Sequence, residues 1–162
     1  MGLRTLKRRR RENKTDYKAR RILLTSGIPR IVVRRTNKYF IVQAVESNEA
    51  QDKIIATITS KNLLKNGWDA KTQGSLKSIP AGYLAGILMA KKLNNKGKYI
   101  MDLGMGRTIK GSRLFAVVKG LIDGGLDIPA NKVVFPSEER LNGEHMNKDL
   151  KDIITKVKGG LK

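Results

Sequence analysis

Residues 30–45, which read RIVVRRTNKYFIVQAV, restrict most strongly how this chain folds. Two apolar runs, residues 31–33 and 39–45, flank a polar and basic middle. β-Branched and aromatic residues dominate both runs, and Asn37 is a residue that favours turns, so the pattern predicts a β-hairpin. A strand pair of this kind buries one face and exposes the other. The exposed positions carry cations that cluster at the hairpin tip, which indicates a rigid platform for a polyanion.

The charge of the whole chain points to the same kind of ligand. There are 34 Lys and Arg residues against 14 Asp and Glu residues, a formal net charge of +20. Residues 1–38 hold 14 of these basic residues but only 2 of the acidic ones. Such an excess repels itself unless a polyanion is bound, so nucleic acid is the first candidate and an anionic membrane the second. The sequence has no cysteine, no apolar run near the ~20 residues of a membrane span and no secretory signal, so we expect a soluble intracellular protein.

The first 27 residues are expected to form a basic arm. Residues 4–21 contain a cationic run at 7–11 and almost nothing apolar, so the arm should be disordered alone and ordered on its partner. Capping residues at 13–16 predict a short helix over residues 17–24. The alternatives for the arm are a targeting signal or a solvated tail.

After the hairpin, the pattern predicts a third strand at residues 53–60, preceded by a polar turn at residues 46–52. Residues 61–66 indicate a short helical turn. Trp68, the single tryptophan, is interpreted as an anchor beside the core rather than a base-stacking residue. The three strands would form a meander.

Two helices and a fourth strand complete the predicted domain. The first helix starts at Pro80 and ends before Gly97, and its small residues at 81–86 would let it lie close to the sheet. The strand spans residues 99–103, and the second helix spans residues 112–123. We therefore predict an α/β (α+β) fold with a single mixed sheet: the meander, and a fourth strand that follows a helical crossover and runs parallel to one of the first three. The helices pack on this sheet.

The last part of the chain is interpreted as an extension. Pro129 and Pro136 interrupt its beginning, and an amphipathic helix is expected from Asn147 to Gly159. The predicted organisation is an RNA-binding arm over residues 1–27, a globular α/β domain over residues 28–126 and a C-terminal extension over residues 127–162.

The loop at residues 104–113, GMGRTIKGSR, partly resembles a phosphate-binding motif. It precedes a helix N-terminus, where backbone N–H groups favour a phosphate. It fails both nucleotide fingerprints, because Ile109 stands at the third glycine position and the residues after Gly111 are not a lysine and a hydroxyl residue. Its polar side chains either contact a nucleic-acid backbone or belong to a solvated connection. They are Arg107, Lys110, Ser112 and Arg113.

The residue types do not predict an enzyme. His145, the single histidine, has Glu144 beside it, but adjacent residues on one loop do not form a catalytic triad. The order of elements is similar to metal-dependent nucleases of the ribonuclease H type, which need carboxylates on their early strands. Strand one carries Arg34 and Arg35 instead, and Asp102 on strand four lacks companions. We expect no catalytic residue, no metal site and no cofactor.

Four blocks of the sequence resemble one protein family. They read LRTLKRRRRENKTDYKARR, PRIVVRRTNKYFIVQAV, GSRLFAVVKGLIDGGLDIP and FPSEERLNGEHM, in this order. They resemble the archaeal form of universal large-subunit ribosomal protein eighteen, whose eukaryotic counterpart is large-subunit protein five. The resemblance covers nearly the whole chain, and the block from Phe135 onward is similar to the archaeal and eukaryotic branch.

This resemblance implies a structural role on the ribosome. The family binds 5S ribosomal RNA and attaches it to the large ribosomal RNA in the central protuberance of the large subunit. The implied partners are 5S ribosomal RNA, large-subunit ribosomal RNA and neighbouring ribosomal proteins, in the cytoplasm, with no membrane and no homo-oligomer. The charge alone leaves one alternative open, a general basic nucleic-acid-binding or DNA-compacting protein.

The resemblance also implies three RNA-facing regions. In the arm these are Arg4, Lys7, Arg8, Arg9, Arg10, Arg11, Lys14, Tyr17, Lys18, Arg20 and Arg21. In the hairpin they are Arg30, Arg34, Arg35, Asn37, Lys38 and Tyr39. In the loop they are Arg107, Lys110, Ser112 and Arg113. Because double-stranded RNA hides its base edges in a deep, narrow groove, we expect these residues to read backbone geometry, loops and bulges.

Overall fold

A single mixed sheet organises the computed structural model, which describes residues 5–49, 51–94, 97–146 and 148–160. The strand order is β3-β2-β1-β4, where the strands are β1 (Arg30–Arg35), β2 (Phe40–Asn48), β3 (Gln51–Thr59) and β4 (Ile100–Asp102). The first three strands form an antiparallel meander, and β4 pairs with β1 in parallel. The predicted α/β fold with one mixed sheet is confirmed.

Four helices lie close to the predicted positions, and two short ones, at Arg8–Arg11 and Glu138–Leu141, were not predicted. They are α1 (Arg8–Arg11), α2 (Tyr17–Thr25), α3 (Ile79–Lys92), α4 (Arg113–Asp123), α5 (Glu138–Leu141) and α6 (Lys148–Gly160), with 3₁₀ segments at Ser60–Asn66, Ala70–Ser75 and Lys132–Val134. Asp16 caps α2, and the Ser78 hydroxyl accepts a hydrogen bond from Ala81 N–H at the start of α3. Asn147, the predicted start of α6, lies outside the described residues.

The β1–β2 hairpin has its turn at the predicted place. Arg35 lies opposite Phe40, and Thr36 closes the loop between them. The backbone N–H and the hydroxyl of Thr36 both donate to the Tyr39 carbonyl, at 2.9 and 2.7 Å, while Tyr39 N–H donates to the Thr36 hydroxyl at 3.0 Å. The turn assigned to Asn37 is therefore organised by its neighbour, because a threonine hydroxyl can bond the backbone on both sides of a short loop.

The turn predicted over residues 46–52 lies within that range but is shorter than predicted, because it is confined to the connection between Asn48 and Gln51. β2 and β3 continue through this region and pair as far as Asn48 opposite Gln51. Glu46 lies opposite Lys53, so opposite charges compensate each other across an exposed ribbon. The polar composition of residues 46–52 therefore reflects the exposed end of a strand pair as well as the turn that closes it.

Two apolar clusters lie on either side of α3. The first lies between the sheet and helices α3 and α4, and its fully buried side chains include Phe40, Ile31, Val33, Val42 and Leu121. The second contains Trp68, Leu63, Leu84, Ile154 and Val157. Trp68 is only 2% exposed, in agreement with the anchor interpretation. The predicted C-terminal extension thus packs on the domain through α6, and α3 is buried nearly all round.

Helices α3 and α4 touch through glycine. A Cβ added at Gly86 would meet the backbone of Val117 and Leu121, and one added at Gly120 would meet the carbonyl oxygen of Tyr83. The prediction that the small residues of α3 approach the sheet is therefore wrong for Gly86, whose near neighbour is α4. This close contact between Gly86 and Gly120 holds α4 against α3.

Candidate nucleic-acid interface

The outer face of the sheet, opposite the first apolar cluster, carries Arg30 and Arg34 of β1. Ile31 and Val33 point into the core, so Arg30, Val32 and Arg34 share the other face. The arm lies over this face and leaves a cleft of about 610 Å³ between the two. The arm, the hairpin and the loop before α4 therefore adjoin one another, although they are far apart in sequence.

Arg30 is held in an intramolecular ion pair. Its guanidinium donates to the Asp52 carboxylate at 2.7 Å and to the Ser47 hydroxyl at 2.6 Å, and its side chain is 8% exposed. Arg20 of the arm reaches the same carboxylate at 3.4 Å. Partial burial of Asp52 disfavours its charge, but the Ser47 hydrogen bond and the Arg30 guanidinium outweigh this and hold its pKa below the ordinary 3.8. Arg30 thus has a structural contact, and its RNA contact stays a prediction.

Arg34 is also fixed, although its side chain is 43% exposed. Its guanidinium donates to the Asp102 carboxylate at 2.9 Å, to the Asp102 carbonyl at 2.8 Å and to the Val33 carbonyl at 3.0 Å. Gly104 N–H donates to the same carboxylate at 2.9 Å. Gly104 has a φ of +61°, and a side chain there would meet the Arg34 guanidinium. The hairpin is therefore tied to the loop that follows β4.

Asp102 is not assigned to the interface by the sequence pattern. It lacks the further carboxylates of a nuclease site, but in the structure two arginines lie beside it. The parallel register places Asp102 beside Val32, and therefore between the Arg30 and Arg34 side chains of the same face. No local pattern indicates this, because the register of β4 on β1 follows from the whole fold.

A second cleft, of about 660 Å³, separates the hairpin from the start of α4. Its polar lining residues are Asn13, Lys14, Arg34, Arg35, Arg107, Ser112 and Arg113. In the described part of the chain, Arg35, Arg107 and Arg113 form no ion pair, and no carboxylate lines the cleft. The structure thus brings the hairpin and loop regions together around unneutralised cations.

The remaining hairpin residues lie at the tip. Asn37 and Lys38 are exposed, and the ring of Tyr39 is half-buried beneath the ammonium of Lys61, 4.6 Å from the ring centroid. Lys61 was not predicted as part of the site, because it follows a different strand. A similar contact places Lys7 4.6 Å from the ring centroid of Tyr17 in the arm. Both aromatic rings carry a cation on one face.

Several arm cations pair within the arm. Arg10 binds the Asp16 carboxylate at 3.1 Å, and Lys14 binds Glu12 at 2.8 Å. The hydrogen bonds that Asp16 accepts at the start of α2, first from Ala19 N–H, hold its pKa below the ordinary 3.8. Ion pairs this exposed contribute little to stability. The disorder expected for the free arm stays a prediction.

The other arm residues are placed as follows. Arg8 lies near Glu12 and Arg9 donates to Thr15, whereas Arg11, Lys18 and Arg21 are exposed. Arg4 lies outside the described residues. Arg10 also contacts the sulfur of Met105 at 3.4 Å, which links the arm to the loop before α4.

The structure also bears on a metal site and on a membrane-spanning helix. His145 is exposed, and within the described ranges no group of three or more His, Cys, Asp or Glu side chains is arranged to hold a metal ion. Among the described helices, none combines the length and apolar character that crossing a membrane requires.

Comparison with known proteins identifies the family. The sequence pattern described as "Ribosomal large subunit proteins 60S L5, and 50S L18" matches residues 3–99 and 94–131. The chain belongs to this family.

Three archaeal family members named large ribosomal subunit protein uL18 are similar over most of the chain. The one from Caldivirga maquilingensis is 46% identical over 142 residues, covering 86% of this chain and 67% of that protein. The one from Methanoregula boonei is 43% identical over 155 residues, covering 93% and 87%. The one from Korarchaeum cryptofilum is 46% identical over 141 residues, covering 86% and 70%.

Membership in this ribosomal family confirms the resemblance found in the sequence. It assigns the chain a structural role in the large ribosomal subunit and with it ribosomal RNA binding and translation. The related proteins are ribosomal components rather than enzymes, so the prediction of a non-enzymatic function is confirmed. The individual RNA-facing residues stay predictions.

Proposed function

We propose that this chain binds 5S ribosomal RNA and attaches it to the large ribosomal RNA in the central protuberance of the large subunit, beside neighbouring ribosomal proteins. The observation that carries the proposal is the convergence of the three predicted contact regions. Lys14 of the arm, Arg35 of the hairpin and Arg107 of the loop line the same cleft. Because cations from three separate regions lie on one side of the molecule, they can contact one continuous stretch of RNA.

The hairpin acts as a pre-organised platform. Arg34 is already fixed by Asp102 and by the Val33 carbonyl, and Thr36 closes the turn. Binding a rigid surface loses less conformational entropy than ordering a flexible one, so more of the contact energy appears as affinity. The platform sets the position of the RNA, because contacts with phosphates fix register and orientation.

The arm adds affinity by a different route. Most of its cations are exposed. Arg8, Arg10 and Lys14 pair with carboxylates of the arm itself, and Arg20 pairs with Asp52 of β3. An RNA phosphate replaces such a carboxylate at little cost, and each neutralised phosphate releases counterions. The arm therefore increases affinity in a strongly salt-dependent way, while the hairpin and the loop provide selectivity.

A competition assay at about 150 mM salt tests this proposal. Labelled 5S ribosomal RNA is bound to the full chain and displaced with unlabelled 5S RNA, transfer RNA or duplex DNA of similar length. We expect 5S RNA to compete best by a large factor, because shape-specific contacts add to the non-specific electrostatic attraction. Equal competition by all three would contradict the proposal and favour a general nucleic-acid-binding protein.

A pair of variants locates the selectivity. Arg35→Ala with Lys38→Ala removes two charges from the hairpin tip, and Lys151→Ala with Lys156→Ala removes two from exposed positions of α6. Both lower the net charge equally. Only the tip variant should lose preference for 5S RNA; equal losses in the two variants would show that overall charge, rather than the platform, selects the RNA.

A further inference from the structure

We infer that the cleft between the hairpin and the N-terminus of α4 is a site for one backbone phosphate of the bound RNA, with the Ser112 hydroxyl as a direct donor. This inference rests on the proposed RNA-binding function and specifies one contact within it. A phosphate bound here would be held by directed hydrogen bonds and not by surface charge alone.

The electrostatics of the cleft favour an anion. Arg35 enters from β1, Arg107 from the loop and Arg113 from the first turn of α4. Arg34 also lines the cleft, but its guanidinium is bound to Asp102. Three guanidinium groups converge here without a neutralising carboxylate in the described lining, so their mutual repulsion is relieved when an anion enters.

Ser112 provides an observation independent of charge. Its hydroxyl oxygen is buried and has no hydrogen-bond partner in the described structure. It stands at the N-cap of α4, an 11-residue helix, yet makes no capping hydrogen bond, unlike Ser78 at the start of α3. A buried polar group without a partner costs free energy, so its presence indicates a partner that arrives from outside the chain.

The backbone around Ser112 completes the site. With no side-chain cap, the first N–H groups of α4 have no acceptor among the described residues. The helix dipole adds partial positive charge at this end of the helix. A phosphate has several acceptor oxygens. It can accept from the Ser112 hydroxyl, from these N–H groups and from a guanidinium at the same time.

The replacement Ser112→Ala separates this role from a structural one. Removing an unpartnered hydroxyl should leave the melting temperature unchanged or raise it, whereas affinity for 5S RNA should fall about tenfold, as expected for a lost hydrogen bond to a charged group. Loss of a helix cap would instead lower the melting temperature. Thr155→Ala is the matched control, because its hydroxyl bonds the Lys151 carbonyl within α6, and its RNA affinity should not change.

Phosphate ethylation interference identifies the contact itself. Randomly ethylated 5S RNA is selected with the original chain, with Ser112→Ala and with Arg107→Ala, and the modified phosphates that prevent binding are mapped. We expect both variants to lose interference at the same phosphate. If Ser112→Ala binds as tightly as the original chain, or if the two variants affect different phosphates, the inference is overturned. If the original chain does not prefer 5S RNA at all, the proposed function fails first, which is a separate result.

Discussion

Neighbouring arginines of β1 have different roles despite their identical charge. Arg34 makes three hydrogen bonds within the chain and joins β1 to the segment after β4. Arg35, the next residue, forms no ion pair with any described residue and lines the second cleft. Asp102 therefore acts as a positioning residue that neutralises and fixes Arg34, whereas Arg35 has no such partner among the described residues.

The Asp52 carboxylate gives a pH-dependent contribution to stability. We expect Asp52→Asn to lower the free energy of unfolding at pH 7 by about 1–2 kcal/mol, because the charge-assisted bonds from Arg30 and Ser47 are weakened. Since the folded pKa of Asp52 is below its ordinary value, the contribution is present above about pH 4 and is lost as the pH falls through the folded pKa. Urea unfolding of both chains at several pH values measures this.

The same titration has a clear control. Asp152→Asn removes an exposed carboxylate of α6 and should change stability little at any pH. A difference between Asp52→Asn and the original chain that stays constant from pH 7 down to about pH 2 would contradict the role given to ionised Asp52.

Single residues could be predicted from the sequence where their role is local. The cations of the hairpin tip and the cap at Asp16 follow from short patterns, and they lie where those patterns indicated. Asp102 and Lys61 could not be predicted, because each meets its partner through strands that are distant in sequence. The burial of Arg30 was missed for the same reason.

At the scale of elements, the contact of α3 with α4 depends on the absence of side chains. We expect Gly120→Ala to lower the free energy of unfolding by about 3 kcal/mol, because the new Cβ would meet the backbone of Tyr83 and the two helices would have to separate. Denaturant unfolding measures the loss. Gly159→Ala in α6 meets open space and should cause none. Equal effects of the two substitutions would show that helix propensity, rather than close approach, governs both.

Elements were predicted well where periodicity and capping act locally. Helices α3 and α4 and the hairpin begin near the predicted residues because their signals lie within a few positions. The extent of β2 and β3 was underestimated, since an exposed strand pair tolerates polar residues that resemble a turn. The burial of α3 on all sides was not predicted either, because it requires α6 to pack on the far side.

At the scale of the whole molecule, the cations fall into two groups, those with a carboxylate partner and those without one among the described residues. Asp52 and Asp102 bind arginines of the sheet, and the carboxylates of the arm bind arm cations. The cations around the second cleft have no such partners among the described residues. Part of the net charge of +20 is therefore left unneutralised around the second cleft.

Removing residues 1–21 tests how the arm contributes. If the full chain contacts ~6–10 phosphates, its affinity for RNA should fall by roughly 10³–10⁵ between ~50 and ~200 mM salt. The shortened chain should bind more weakly and show a flatter salt dependence, because it neutralises fewer phosphates. Its melting temperature should change by no more than about 2 °C, since exposed ion pairs such as Arg20–Asp52 contribute little. A large loss of thermal stability would instead make the arm part of the folded core.

The parallel pairing of β4 with β1 also sets an order of events during folding. Arg34 and Asp102 are 68 residues apart in sequence, and contacts between such distant residues form late because closing a long loop costs entropy. Until β4 docks, Arg34 has no carboxylate beside it and the start of α4 is not next to the hairpin. The proposed RNA-binding surface is completed only when the intervening chain, including α3, has folded. We therefore expect the RNA to bind only chains that have finished folding.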